Sequence, residues 1–245
     1  MSRIRGKFAE SYDKFIKRES LLPDGLLELV KTYKPEKIAD FGCGTGSVAI
    51  GLALEGYRVA GVDISKDMLR IAGLKARKLK TDAQFKQGDI TGIDLKSKFD
   101  LILSLGNTVP LIYRLNDARK AFRNFARHLN PGGVLIIQQL NYDKILNEKP
   151  RTFAIDRIEN QLRIKQYNYV RNLINFTVTI VDHSYAPPNI ERTRARLRPW
   201  KKNDLVSELR AAGFYKFSAF GDYKKSRFGP KSNDLILIGK RKPAG

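Results

Sequence analysis

The chain has 245 residues, of which 42% are hydrophobic and 29% are charged, as is typical of a globular protein with a packed core. Its 46 Lys and Arg against 25 Asp and Glu give a net charge of +21, which favours polyanions such as nucleic acid as partners. The single cysteine, Cys43, excludes an intrachain disulfide framework. No apolar run is long enough to span a bilayer and the polar start lacks a signal-peptide core, so we expect a cytoplasmic protein.

The first part of the sequence alternates between predicted helices and predicted strands. Helices are expected over 8–17, 26–33, 47–54 and 117–128, with a further helix that Ser65 caps. Buried strands are expected over 37–41, 57–62, 83–86, 99–104 and 134–139, the last entered through a turn at Asn130-Pro-Gly-Gly. Repeated strand–helix alternation is typical of right-handed crossovers and predicts an α/β fold with a parallel sheet.

The second part of the sequence changes rhythm. Short alternating stretches over 151–198 predict antiparallel strands that are inserted as a lid. A helix over 203–212 and strands over 214–220 and 235–239 are expected to close the fold. We therefore predict one domain, divided into N-terminal helices (1–35), a cofactor-binding core (36–142), the inserted β lid (151–198), and a closing helix and strand hairpin (200–245).

A glycine-rich loop follows the first predicted strand. The sequence Asp40-Phe-Gly42-Cys43-Gly44-Thr-Gly46 requires a sharp turn into a helix, and its glycines permit positive φ and a close approach of the backbone to a ligand. Free N–H groups at the start of that helix would face the same ligand. The second strand ends at Gly61-Val-Asp63, where a carboxylate can accept hydrogen bonds from two ribose hydroxyls.

The spacing of this loop distinguishes between cofactors. Dinucleotide sites use G-x-G-x-x-G to hold a pyrophosphate, whereas this loop is G-x-G-x-G with Asp40 two residues ahead, where a carboxylate can reach an ammonium group. The segment Gly88-Asp89-Ile90 would bring a carboxylate near an adenine amino group, and Ile64 and Met68 would sandwich the ring. In order and spacing these motifs resemble those of class I S-adenosylmethionine-dependent methyltransferases.

Later motifs resemble those of the glycine N-methyltransferase family and its bacterial and archaeal relatives. They are Leu105-Gly-Asn-Thr108, Gly132-Gly-Val-Leu-Ile-Ile, Leu140-Asn-Tyr-Asp143 and Phe220-Gly-Asp-Tyr223. The resemblance implies a seven-stranded Rossmann-like sheet with an inserted antiparallel β lid. It also implies S-adenosylmethionine as cofactor, with S-adenosylhomocysteine as product.

The resemblance also implies site residues. Tyr12 would close over the methionine part of the cofactor, and Asn141 would border the acceptor. Asn107 follows the fourth predicted strand, where such folds place residues of the acceptor side, and these three are the predicted catalytic residues. The predicted cofactor-binding residues are Tyr12, Asp40, Gly42, Cys43, Gly44, Gly46, Asp63, Ile64, Met68, Asp89, Ile90 and Ser104. Members of the family hold a substrate carboxylate with an arginine from the inserted segment. Here arginines at every second position would share one strand face: Arg192, Arg194, Arg196 and Arg198.

Three functions remain open from the sequence. An in-line methyl transfer to a small amine needs alignment more than a strong base, and the chain has no Ser-His-Asp arrangement. Two histidines and one cysteine also give no plausible metal site. An RNA methyltransferase is suggested by residues 192–245, which hold 15 basic and 4 acidic residues, a net charge of +11. A cofactor-binding protein without catalysis is the third alternative, and an oligomer is compatible with each.

Overall fold

A computed structural model describes residues 20–243. The helices are α1 (Leu26–Lys31), α2 (Ser47–Leu54), α3 (Lys66–Lys78), α4 (Leu115–His128), α5 (Tyr142–Glu148) and α6 (Lys202–Ala211). The strands are β1 (Lys37–Phe41), β2 (Arg58–Asp63), β3 (Gln84–Gln87), β4 (Phe99–Ser104), β5 (Leu129–Leu140), β6 (Thr152–Ile158), β7 (Gln161–Val170), β8 (Leu173–Asp182), β9 (Asn189–Leu197), β10 (Phe214–Phe220) and β11 (Asp234–Arg241). The helix predicted over 8–17 lies outside the described residues.

Seven strands form the central sheet, in the order β10-β11-β5-β4-β1-β2-β3. The five strands from β5 to β3 run parallel, whereas β11 is antiparallel to both β5 and β10. Because the carboxyl ends of β1, β2, β3 and β4 share one edge, the loops that follow them meet there. The sheet confirms the predicted Rossmann-like fold class.

Helices cover both faces of this sheet. On one face, Phe122 and Phe125 of α4 and Leu205 of α6 pack against alternate strand residues, whereas α1 and α2 pack against the intervening residues on the other face. Strands buried on both faces explain the nearly continuous apolar runs in the sequence. No helix within the described residues is long and apolar enough to cross a membrane.

Several predicted boundaries need correction by one or two residues, and one turn is wrong. Tyr57 is not in β2, because its N–H donates to the carbonyl of Leu52 at 3.2 Å and closes the end of α2. The predicted turn at 130–133 lies inside β5, which begins at Leu129. Phe99 of β4 pairs with Leu129 and Leu101 pairs with Val134, so the extra residues form a bulge and do not end the strand.

The lid is a separate antiparallel sheet of four strands in the order β6-β7-β8-β9. Its aromatic and aliphatic side chains pack on α5 and on the loop after β4. This cluster contains Tyr142, Ile145, Tyr167, Ile174 and Leu197, with Leu111 and Phe176 against it. The predicted inserted lid is thereby confirmed. Arg192, Arg194 and Arg196 are exposed on one face of β9, as the alternation predicted, whereas Arg198 lies after the end of β9 and its placement on that face was wrong.

Candidate active site

The glycine loop between β1 and α2 is held against the end of β2. The backbone N–H groups of Gly42 and Cys43 both donate to the carbonyl of Val62, at 2.7 and 3.0 Å. Gly42 has φ of 88°, and a Cβ there would lie 2.4 Å from the Thr108 side chain. Gly44 has φ of 56° with no atom within 4 Å of an added Cβ. The loop therefore leaves space above Gly44, where backbone and ligand can approach closely.

Asp63 connects the end of β2 to this loop. Its Oδ2 accepts a 2.9 Å hydrogen bond from the N–H of Gly44, and its Oδ1 accepts a 2.8 Å hydrogen bond from the N–H of Ser65. Burial raises the pKa of the Asp63 carboxyl, while the hydrogen bonds from Ser65 and Gly44 act in the opposite direction. Each oxygen of an ionised carboxylate has a second acceptor site, so Asp63 can also accept from a pair of hydroxyls.

Asp40 and Cys43 lie beside Asp63. Asp40 is only 3% exposed. Burial raises the pKa of its carboxyl to about 7, and the negative charge of Asp63 adds to this effect. Burial also raises the pKa of the Cys43 thiol. A neutral thiol is a poor nucleophile, and we interpret Cys43 as a packing residue. A cation placed beside Asp40 would favour its carboxylate form and relieve the burial of an uncompensated charge.

A cavity at the carboxyl edge of the sheet brings most of the predicted cofactor-binding residues together. Eight of them line it: Asp40, Gly42, Cys43, Gly44, Asp63, Ile64, Met68 and Ile90. Met68 stands in the first turn of α3, where its N–H donates to the Ser65 hydroxyl at 3.4 Å in the predicted cap. Ile64, Met68 and Ile90 supply the apolar part of the wall, which is suited to the faces of an adenine ring.

Three other predicted cofactor-binding residues do not line this cavity. Gly46 packs behind the loop, where an added Cβ would lie 2.7 Å from Phe85. The exposed Asp89 accepts a 2.9 Å hydrogen bond from the N–H of Thr91 and stabilises a turn. Ser104 is fully buried, and its hydroxyl donates to the carbonyl of Phe41 at 3.1 Å. Ligand contacts by these three residues stay predictions.

The predicted catalytic asparagines have their polar atoms in contact with protein. Asn107 donates from Nδ2 to the hydroxyl of Tyr142 at 2.9 Å and accepts at Oδ1 from the N–H of Leu140 at 3.2 Å. Asn141 caps α5 by accepting from the N–H of Lys144 at 3.3 Å, and its Nδ2 donates to two carbonyls of the segment before β11. Tyr12 lies outside the described residues. Roles for all three in catalysis stay predictions.

The cavity also contains residues that sequence reasoning missed. Those from the loops after β3 and β4 are Gly88, Leu105, Gly106, Thr108 and Leu111, and Tyr223 comes from the segment between β10 and β11. Their position after strand ends was a usable signal for the first five. For Tyr223 the signal was the Gly-Asp-Tyr motif, to which no site role had been given.

Comparisons with known proteins agree with this geometry. A family model described as a methyltransferase domain matches residues 38–133. A glycine/sarcosine N-methyltransferase of Parasynechococcus marenigrum is 30% identical over 235 residues, covering 91% of this chain and 79% of that protein. A dTDP-3-amino-3,4,6-trideoxy-alpha-D-glucopyranose N,N-dimethyltransferase of Streptomyces venezuelae is 32% identical over 131 residues, covering 53% of this chain and 51% of that protein. The chain belongs to the class I S-adenosylmethionine-dependent methyltransferases.

A solved S-adenosylmethionine-dependent methyltransferase from Clostridium acetobutylicum has the same fold as this methyltransferase. The TM-score is 0.84 at 20% identity, and the match covers 96% of this chain and 98% of that one. The cavity fits S-adenosylmethionine chemically. Asp63 can serve the ribose hydroxyls, the buried Asp40 offers a negative charge to a cation, and the space above Gly44 admits the ligand where a Cβ would obstruct it.

Proposed function

We propose that this methyltransferase methylates a nitrogen atom of a small-molecule amine. The observation that carries the proposal is the extent of the similarity to the glycine/sarcosine N-methyltransferase. An alignment that covers 91% of the chain cannot omit the four-stranded lid, so the relationship includes the acceptor side as well as the cofactor side. The name of the Streptomyces venezuelae relative also describes methyl transfer to an amino nitrogen.

The position of the lid against the cavity is an argument for a small acceptor. Leu111 lines the cavity and also packs against the cluster of Tyr142, Tyr167 and Phe176. Through this contact the lid adjoins one wall of the cavity, where we place the acceptor. Such a wall excludes water and orients the nucleophile, and alignment of this kind is worth about 7–11 kcal/mol of the barrier.

The chemistry makes modest demands on the protein. S-adenosylmethionine, when bound, supplies an activated methyl group on a sulfonium. Asp40 and Asp63 would hold its polar groups, while the loop after β4, which contributes to the cavity wall, would position the acceptor in line with the methyl group. An amine that binds in its neutral form already has a free electron pair, so no strong general base is required.

We further propose that the methyltransferase acts in the cytoplasm as one domain with the lid at 151–198.

The basic charge favours RNA as the alternative acceptor. A net charge of +11 over residues 192–245 would attract phosphates. The test is transfer of labelled methyl from S-adenosylmethionine to two separated pools, small metabolites and total RNA. We expect label in the metabolite pool, with glycine and sarcosine then tested singly. Label in RNA alone would refute the proposal. Cofactor binding without label in either pool would favour a non-catalytic binding protein.

A further inference from the structure

Three arginine side chains meet around Tyr113, in the loop that leads from β4 to α4. The guanidinium carbons of Arg114 and Arg196 lie 5.7 and 5.8 Å from the centre of the Tyr113 ring. Arg198 donates from Nε to the backbone carbonyl of Tyr113 at 2.9 Å, and its guanidinium carbon lies 5.4 Å from the Trp200 ring centre. Arg196 and Arg198 come from the end of the lid, so two elements distant in sequence converge here.

This arginine cluster, formed by Arg114, Arg196 and Arg198, has no ion pair with a carboxylate among residues 20–243. The carboxylate of Glu208, whose pKa Arg198 helps to lower, is already held by Arg119 through two hydrogen bonds of 2.8 Å. Stacking on the rings of Tyr113 and Trp200 stabilises each guanidinium in part. An anion bound at the cluster would supply the negative charge that the neighbouring residues do not.

The start of α4 adds to the positive field of the arginine cluster. Arg114 is the N-cap residue of this 14-residue helix, and no side chain caps its first N–H groups. The N-terminus of a helix favours negative charge because its free N–H groups and its dipole both point outward. The helix start and the guanidinium groups therefore both favour negative charge near Arg114, and the Asp117 carboxylate of the first turn is paired with Lys120 at 3.8 Å.

The arginine cluster adjoins the cofactor cavity. The N–H of Arg198 donates to the carbonyl of Pro110 at 2.8 Å, and the neighbouring Leu111 lines the cavity. Tyr113 follows two residues later. The short segment from Pro110 to Tyr113 therefore connects the arginine cluster to the wall of the cavity.

We propose that the arginine cluster binds a phosphate or diphosphate group of the acceptor, which would make the substrate a phosphorylated amine. The inference rests on the proposed function and adds a substrate class to it. Guanidinium groups match phosphate oxygens in bidentate geometry. A carboxylate carries one charge and is satisfied by one arginine, whereas a phosphate or diphosphate carries enough charge and oxygens for three. The acceptor amine and its phosphate would occupy adjacent sites on either side of Leu111.

The test is a calorimetric titration with inorganic diphosphate at fixed ionic strength, with acetate as a second probe. We expect Arg114→Gln and Arg196→Gln each to weaken diphosphate binding by about tenfold or more, since each removes a charged donor. Arg192→Gln is the matched control, because it removes the same charge from the same face of β9. We expect that control to change the affinity by less than about twofold. Thermal melting and a titration with S-adenosylmethionine verify that each variant is folded.

Equal weakening in all three variants would overturn the proposal, because it would show a general effect of net charge. Acetate binding at the cluster as tightly as diphosphate would also overturn it. The outcome is separable from that of the proposed function. If diphosphate binds at the cluster but no amine is methylated, the proposed function fails alone. If an amine is methylated but diphosphate does not bind, only the phosphate inference fails.

Discussion

The Asp63 carboxylate accepts a hydrogen bond of 2.9 Å from the backbone N–H of Gly44. This contact fixes the glycine loop of β1 against the end of β2, so one side chain shapes the loop and keeps acceptor sites that we propose for the ribose hydroxyls. Its second oxygen accepts from the N–H of Ser65, at the start of α3. The geometry of the cofactor site and the geometry of the fold therefore depend on the same carboxylate.

Asp63→Ala should weaken the binding of S-adenosylmethionine severely. The ribose hydroxyls lose a charged acceptor worth about 1.5–3 kcal/mol, which corresponds to roughly 10- to 150-fold in the dissociation constant. Isothermal titration calorimetry measures the change, with the exposed Asp204→Ala as the control for loss of one negative charge. An unchanged affinity in Asp63→Ala would show that the cofactor site has been placed wrongly.

Gly44→Ala should abolish cofactor binding while the protein stays folded. The added methyl group would meet no protein atom within 4 Å and would occupy the space that the ligand needs. Gly56→Ala is a matched control, because Gly56 also has positive φ and open space around its Cβ but lies outside the cavity. Both variants should lose about 1–2 kcal/mol of stability from the left-handed backbone. Cofactor affinity in a titration should fall only in Gly44→Ala, and equal affinities would contradict this view of the loop.

The stability of the protein should depend on the ionisation of Asp40. The folded-state pKa of about 7 lies above the ordinary 3.8, so the unfolded chain loses its proton first as the pH rises. The contribution of Asp40 to the free energy of unfolding is therefore fully present below about pH 4 and is lost as the pH rises through about 7. Asp40→Asn should remove this loss, and its advantage over the wild type should grow to at most about 4 kcal/mol. Urea unfolding at about pH 5 and about pH 8 measures the difference, and an advantage independent of pH would refute the assignment.

Asn107→Ala should destabilise the protein whether or not Asn107 contacts the acceptor. The Tyr142 hydroxyl and the Leu140 N–H would lose a buried partner, at about 1–3 kcal/mol. Tyr142→Phe removes the same side-chain hydrogen bond and leaves Asn107 in place. If Asn107 borders the acceptor, Asn107→Ala should raise KM for the acceptor well beyond Tyr142→Phe. Equal KM values would assign Asn107 to support of the loop alone.

Local sequence patterns predicted the fold and eight of the residues that line the cavity. Strand β1, the glycine loop and Asp63 depend on hydrophobic runs, glycine conformation and residues that follow strand ends, all of which are local. The bulge in β5 was mistaken for a turn, because Pro and Gly carry the same signal in both. Strand periodicity also placed Arg192, Arg194 and Arg196 on one face of β9.

The contacts of the acceptor side depend on residues far apart in the sequence. Asn141 donates to the carbonyls of Gly229 and Ser232, which are 88 and 91 residues away. The stacking of both Arg114 and Arg196 on Tyr113 follows from the way the lid returns to the loop after β4. Tyr223 reaches the cavity from the far end of the chain. None of these contacts has a periodic signature, so only the three-dimensional structure could bring these residues together.

The central claim is methyl transfer to an amine nitrogen of a small molecule. The most direct measurement uses S-adenosylmethionine with a carbon-13 methyl group, a metabolite pool enriched in nitrogen-15, and nuclear magnetic resonance of the product. We expect a methyl signal coupled to nitrogen on a small molecule, and a much weaker signal from Asp63→Ala at a limiting concentration of S-adenosylmethionine. A methyl signal on oxygen, carbon or sulfur, or one found only on RNA, would contradict the account.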